Sequence, residues 1–528
     1  MNLRPTNLPL TVKEFNAERC GLCAGCGCSC GYILYTKDHT LVDLYGHPAD
    51  KNGLGSLCTK GITYIQATDT NPLRLRKAFF RKEQEYVEIS HASAMNLAKE
   101  KLKGKKVAFL LDRSAGLEEY VLAKEITPFV FTDTVYLPFK ASTLLPQEWK
   151  DRRFIFALEV DPVFSEVMAT RWLIDAVEKG AYLYVISSRY STLSAKAKET
   201  HLMPPYLALS FLEKLFEQNT KDKRMEFLKR SFQLIKESLV LVSATLMASP
   251  FKDRVLRLIR ELRRKFKTQY AIVGDIMPFP SHSIKDMCES IDDFDALIVF
   301  GNPLKFLRDE HLEKLKDKFV LQFTLFPNFT SHHADLILPM TNFTERDFIN
   351  YRHGFGFLAY TPKVLNRQEY INPYTFLREL FEKDISLEEF LSHYGIDYQE
   401  LKASHEVKLK LPHLEEVFQQ EGKIEPLKEG IYLYTDNTLV EDLGHWHAWT
   451  HDMEKYQMAY LNEGTAKKLR VEDKIFISGH EFKVIITPNI ADDVVFVPLS
   501  YEEYQPFHPG VSVGRFLRHP YYRFEALE

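Results

Sequence analysis

Six of the chain's seven cysteines lie between Cys20 and Cys58. The stretch opens as CGLCAGCGCSC and, after 27 more residues, ends in Cys58-Thr59-Lys60-Gly61. A short, glycine-rich segment with so many thiols either oxidises them in pairs or gives them to a metal. The opening MNLRPTNLPLTVKEF has neither a charged-then-apolar leader nor a twin-arginine motif. No apolar run reaches the roughly 18 residues of a membrane span. The chain is therefore expected to stay in the cytoplasm, where clustered cysteines read as metal ligands rather than disulfides.

Two ligand sets compete. Cys20, Cys23, Cys26 and Cys30 fit the C-x2-C-x2-C-x3-C run of bacterial ferredoxins. In that run the fourth cysteine serves a second cluster and is followed by proline, whereas here Gly31 follows and no second run exists. The other set is Cys23, Cys26, Cys30 and Cys58, which gives Cys58 a role and leaves Cys20 and Cys28 spare. A zinc ribbon needs a second C-x2-C pair near Cys58, and none is there. The set with Cys58 is preferred, as the cradle of one [4Fe–4S] cluster. Cys288, on a helical pattern, reads as a buried structural thiol.

At 528 residues the chain exceeds one core. A net charge of −4 argues against a nucleic-acid partner. After a hairpin over 31–45, strand and helix patterns alternate, which predicts parallel, doubly wound sheets. Strands are expected at 107–111, 134–138, 153–158 and 182–187, then at 239–244, 270–274, 296–300 and 318–323. The expected division is a cluster domain at 1–75, α/β units at 76–237 and 238–384, a helical connection at 385–425 and a small β-barrel at 426–528.

The cysteine spacing, the turn GHPADKNGLGSLCTKG and the following Asn71-Pro72-Leu73-Arg74 resemble the N-terminal cluster domain of the molybdopterin oxidoreductase family. That family includes formate dehydrogenases, nitrate reductases and the large iron–sulfur subunit of respiratory complex I. The resemblance implies that Lys60 lies between the cluster and a pterin. It also implies molybdenum or tungsten held by two pterin guanine dinucleotides in the clefts of the two α/β units. By that resemblance Ser188 and Arg189, Gly301-Asn302-Pro303, and Asp335 within His333–Pro339 (with Glu345 and Asn350 beyond) are cofactor contacts. So are His445, His447 and Thr450 in the loop Gly444–Thr450, where Trp449 replaces a glycine usual in the family.

The resemblance also has departures. The loop after the 153–158 strand, Asp161–Glu166, lacks the family's Gly and Asn. The stretch Val135–Thr143, where catalytic members supply a metal ligand, offers only Ser142, which reads as a plain loop serine. Two functions follow from the resemblance. One is an oxidoreductase subunit passing electrons through the cluster between a bis-pterin metal site and a partner protein. The other is a pterin-free electron-transfer and scaffold subunit like that of complex I. Both imply other redox subunits as partners, through which the chain would sit at the inner face of a membrane.

Overall fold

The computed structural model of the chain describes residues 14–527 apart from 70, 84, 163–164, 218–221, 353–354, 419–425, 437–457 and 499–523. The cysteine-rich stretch packs on a three-stranded antiparallel sheet of β1 (Ala17–Leu22), β2 (Gly31–Lys37) and β3 (Thr40–Gly46). β2 and β3 are the hairpin that alternation predicts. Asp38 and His39 close it with φ of 49° and 66°, the left-handed pair whose twist matches the flanking strands. A turn then brings the chain back to Cys58: His47 N–H donates to Gly31 C=O at 2.8 Å and Gly55 N–H to His47 C=O at 3.1 Å. Helix α1 (Thr59–Asp69) starts directly after Cys58.

Next come the hairpin β4 (Ala78–Lys82) and β5 (Glu85–Ile89), α2 (His91–Leu102), β6 (Val107–Leu111), α3 (Leu117–Ile126) and β7 (Val130–Thr132). The strand expected at 134–138 is shorter, β8 (Val135–Tyr136), and the sheet strand lies just before it at β7. Val130 and Phe131 supply the buried apolar pair, and Asp133 then leaves the sheet to meet Arg352. β9 (Phe154–Leu158), α4 (Ala169–Glu178), β10 (Tyr182–Ser187), β11 (Glu199–Leu202), β12 (Leu239–Ser243) and β13 (Gln269–Val273) follow. The chain returns through β14 (Ile276–Met277) and β15 (His282–Ser283) to β16 (Ala296–Phe300), β17 (Phe319–Thr324) and β18 (Leu336–Pro339).

Strand pairing corrects the expectation of two units in succession divided at 237/238. β12 and β13 join β9 and β10 in one parallel sheet of order β11-β10-β9-β12-β13. β6 and β7 join β16, β17 and β18 in the larger sheet, order β15-β7-β6-β16-β17-β18-β4-β5, where only β4 and β5 run antiparallel to their neighbours. The chain thus leaves the larger sheet after β7, completes the smaller one and comes back. β6, β9, β12 and β16 (VAFLL, FIFAL, LVLVS, ALIVF) are buried at every position. Parallel strands covered on both faces are apolar throughout, so nothing in their sequences selects a neighbour.

β20 (Phe357–Thr361) pairs with β19 (Phe348–Asn350) and with β21 (Glu406–Lys408). β21 falls inside the stretch expected to be a helical connection, between short helices at Tyr398–Ser404 and Leu414–Val417. From Tyr432 onward the described strands form one six-stranded mixed sheet. Its outer strands, Lys474–Ile477 and Phe524–Ala526, do not pair with each other, so the closure expected of a barrel is not seen among the described residues. No helix among the described residues is long and apolar enough to cross a membrane.

Candidate functional site

Cys23, Cys26, Cys28 and Cys30 are buried, Cys58 is half-buried and Cys20 is exposed on β1. Burial pushes the thiols of Cys23 and Cys30 up, and the charges of Cys26 and Cys58 push both further. Cys58 is pushed up to about 11, by burial first and by Cys26 next. These four sulfurs therefore share one electrostatic site. Cys20 stands apart, raised by its own partial burial and by Glu18. Gly61 allows the close approach: a Cβ there would stand 3.2 Å from Cys23 Sγ and 3.8 Å from Cys58 Sγ. The N–H groups of Gly25 and Gly61 donate to the Cys23 and Cys58 sulfurs, each at 3.3 Å. Donors aimed at thiolate sulfurs are a feature of iron–sulfur sites, and this donor set suits a [4Fe–4S] cluster.

Cys28, left spare by spacing, has a definite place. It hydrogen-bonds Cys26, and with the cations of Lys60 and Arg113 it brings Cys26 down to about 6. The ligand atoms of Cys26, Cys28 and Glu166 lie within 4.8 Å of one another. Asn350 steadies the loop from β19, its Nδ2 donating to Cys26 C=O at 3.3 Å and Ser29 Oγ at 3.0 Å.

Lys60 is no solvated loop lysine. It sits in the first turn of α1, 7% exposed, with Nζ 5.8 Å from the centre of the Tyr64 ring. Its charge bears on Cys26, Cys58, Glu166 and Asp275. Asp275 pairs with Arg113. Charged groups therefore lead inward from the cysteines to Arg113, in the loop after β6.

The carboxyl ends of β6, β16, β17 and β18, side by side in the larger sheet, open on a cavity of about 80 Å³. Loops 112–114, 301–302, 324–326 and 340–343 line it, and Ala24 and Tyr64 border it from the cluster side. The direction of winding reverses between β6 and β16, the position where open α/β sheets bind ligands. Gly301 has φ of 67°, and a Cβ there would run into the Asp112 carboxylate. Asp112 accepts from Ser114 N–H at 2.8 Å and Asn302 N–H at 3.1 Å. Asn302 Oδ1 accepts from the N–H and hydroxyl of Thr330 at 3.0 Å each, which leaves its Nδ2 buried without a protein partner. Thr341 Oγ1 and Arg113 Nη1 are in the same condition at the same cavity. A buried polar atom left unpaired costs about 1–3 kcal/mol. Three of them around one cavity mark a place built to meet an acceptor-rich ligand. Pro303 lies just behind, starting the buried turn Pro303–Phe306.

The corresponding ends in the smaller sheet are different. Glu159, directly after β9, is buried with φ of 55°. It accepts from Ser188 Oγ at 2.7 Å and Ser187 Oγ at 3.3 Å. Arg189 pairs with Asp161 at 2.9 Å and approaches Asp436 of the C-terminal sheet at 3.8 Å. Burial pushes the Glu159 carboxyl up to about 7. The unfolded chain gives up this proton near pH 4.5 and the folded one near 7. Glu159 therefore costs stability progressively as pH rises through that window, up to about 3 kcal/mol above it. Glu159→Gln is expected to raise the unfolding midpoint at pH 8 and leave it unchanged near pH 4, as denaturant titrations at the two pH values would show.

Comparison of the sequence with protein families and with curated proteins finds no match. Among solved structures, acetylene hydratase from Pelobacter acetylenicus matches with a TM-score of 0.70 over 96% of this chain and 96% of that chain, at 12% sequence identity. The chain has the fold of that protein. The candidates named from motifs take different places on it. Gly301 and Asn302 line the cavity. Ser188 and Arg189 reach a strand end but are engaged by Glu159 and Asp161. Asp335 lies at the opposite, amino end of β18. There its carboxylate accepts from Val320 N–H at 2.8 Å, and Thr341 and Asn342 reach the cavity from this strand instead. His445, His447 and Thr450, with the rest of 444–450, lie outside the described residues. Ser142 Oγ donates to Leu144 C=O at 2.5 Å. Ser142→Ala is expected to leave the metal content unchanged and to cost about 1 kcal/mol in denaturant titration. No motif marks 112–114 or 341–342. The usable signal was their position directly after β6 and β18.

Proposed function

We propose that the chain is an iron–sulfur enzyme of the molybdopterin type. Cys23, Cys26, Cys30 and Cys58 hold one [4Fe–4S] cluster, and Lys60 stands on the way inward from it. The cavity at the switch point of the larger sheet takes the acceptor-rich end of a pterin dinucleotide. Asn302 Nδ2, Thr341 Oγ1 and Arg113 Nη1 donate to it. The single observation that carries this reading is those three buried donors, unpaired around one cavity beside the cysteine loop. When bound, the pterin-held molybdenum or tungsten supplies the chemistry at substrate.

The oxidoreductase assignment rests on the proposed cluster rather than on the fold, since the similar structure described above is named for a hydration. In this reading electrons pass one at a time between the inner site and a partner redox protein through the cluster. A second reading, a pterin-free electron-transfer and scaffold subunit, is favoured by the engagement of Ser142 with backbone and by the self-paired groups at the smaller sheet.

Metal and pterin analysis of anaerobically purified protein tests both. The first reading expects about four iron per chain together with molybdenum or tungsten and an extractable pterin. Four iron with no pterin leaves the second reading standing alone, and zinc without iron sinks both.

A further inference from the structure

The two strand-end clefts of this fold are not equivalent here. In the larger sheet, three residues that line the cavity each carry a buried donor with no hydrogen-bond partner in the protein: Asn302 Nδ2, Thr341 Oγ1 and Arg113 Nη1. In the smaller sheet, the groups at the matching place are engaged with one another. The winding reverses between β9 and β12, so a second dinucleotide would lie along the loops after β9 and β10. Ser187 and Ser188 hydroxyls both donate to Glu159. The Arg189 guanidinium, the cation of that loop, lies 2.9 Å from Asp161 and 3.8 Å from Asp436, with its ring-side face 5.1 Å from the centre of Phe496.

The backbone there is engaged as well. Glu159 N–H donates to Ile186 C=O at 2.9 Å, Tyr190 N–H to Asn489 C=O at 2.7 Å and Ala491 N–H to Ser188 C=O at 2.8 Å. Residues 489–491 of the C-terminal sheet are thus stitched onto the loop where the second ligand would enter. Diphosphate recognition needs N–H and O–H donors and a cation facing the ligand, with glycine where the backbone must approach closely. At the larger sheet the left-handed position is held by Gly301, with the Asp112 carboxylate in the space a Cβ would take. At the smaller sheet a buried carboxylate, Glu159, holds the left-handed position instead. An incoming diphosphate would meet three carboxylates (Glu159, Asp161 and Asp436) and would have to break the Arg189 pairs before finding a donor.

We infer that this chain binds a single pterin dinucleotide, at the Gly301–Asn302 cleft, and that the second cleft is closed by its own Glu159, Asp161, Arg189 and Asp436. The inference rests on the pterin reading above and departs from the pair of dinucleotides that the sequence resemblance implies. Specificity for one lies in the replacement of a glycine turn by Glu159 and in the Arg189 pairs, not in any missing strand or loop.

The test counts nucleotide against metal. Full-length protein, purified anaerobically, is hydrolysed, and guanine nucleotide and oxidised fluorescent pterin are measured against molybdenum or tungsten and iron. One nucleotide and one pterin per molybdenum or tungsten is the expected result. Two of each per metal overturns the inference and leaves the proposed function intact. None, with iron still present at about four per chain, overturns both. Variants locate the site independently of activity. Asn302→Leu is expected to lose pterin fluorescence while keeping the iron. Asp161→Asn combined with Arg189→Gln, which replaces both charges together so that neither is left buried and unpaired, is expected to keep one pterin per metal. Loss of pterin in the double variant with retention in Asn302→Leu places the ligand in the smaller cleft and overturns the assignment.

Discussion

Cys58→Ser is expected to strip the chain of its four-iron cluster, and Cys20→Ser is expected to leave that cluster untouched. What decides between the two cysteines is the surroundings of their sulfurs, since Cys20 is the nearer to Cys23 in sequence. Cys58 lies at the N-terminus of α1. Its sulfur accepts from Gly61 N–H at 3.3 Å and shares the Gly61 approach with Cys23. Cys20 lies on β1, exposed, and the charges that bear on its thiol include Glu18 but none of the four sulfurs. A serine hydroxyl is a poor substitute for a soft thiolate on iron. Iron per chain should fall from about four to three or fewer in Cys58→Ser, with loss of the visible absorption and a changed electron paramagnetic spectrum. Cys20→Ser should match the parent in both. A Cys58 variant with full iron and an unchanged spectrum would mean that the ferredoxin-like set, with Cys20, holds the cluster.

Glu345→Ala carries the second large effect, on stability. Arg74, at the end of the cluster domain, and Glu345, in the loop after β18, form a two-pronged pair at 2.7 and 2.6 Å with both side chains 1% exposed. Arg74 also donates to Thr68 C=O at 2.7 Å and lies 3.6 Å from the centre of the Tyr370 ring. Glu345 also accepts from Asn342 N–H at 2.8 Å. Removing the carboxylate leaves a guanidinium buried without its counter-charge, for which a loss of about 3–5 kcal/mol is expected. The double variant Arg74→Met with Glu345→Leu removes both charges and should recover most of that loss, because such pairs owe little net stability to their charges. Denaturant titration of the iron-loaded protein reads both. A loss below about 1 kcal/mol in Glu345→Ala, the level of a solvent-exposed pair, would show that the pair does not tie the cluster domain to the larger sheet.

Much of the local structure was legible in the residues. The β2–β3 hairpin followed from alternation around Lys37–Thr40, where both strands run out into solvent at the turn. Strand 296–300 and the turn at Gly301 stood where expected, since a left-handed glycine after an apolar run marks a strand end. Asp335 lies away from the cavity because the two ends of a four-residue strand face opposite edges of the sheet. Asp335 stands at the amino end of β18, and Thr341 and Asn342 stand past the carboxyl end that lines the cavity.

The residue types behind the proposed cluster site are read from the chain alone: thiols, glycines between them and a lysine two places after the last cysteine of the stretch. Those are covalent facts, and their spacing limits what they can hold. The partition of the chain into two sheets could not be read that way. β6, β9, β12 and β16 are interchangeable apolar runs, and which of them are neighbours depends on crossovers far apart in sequence. The same holds for the closure of the smaller cleft. Arg189 and Asp436 are 247 residues apart in the numbering, and only the docking of the C-terminal sheet on β10 brings the carboxylate to the guanidinium.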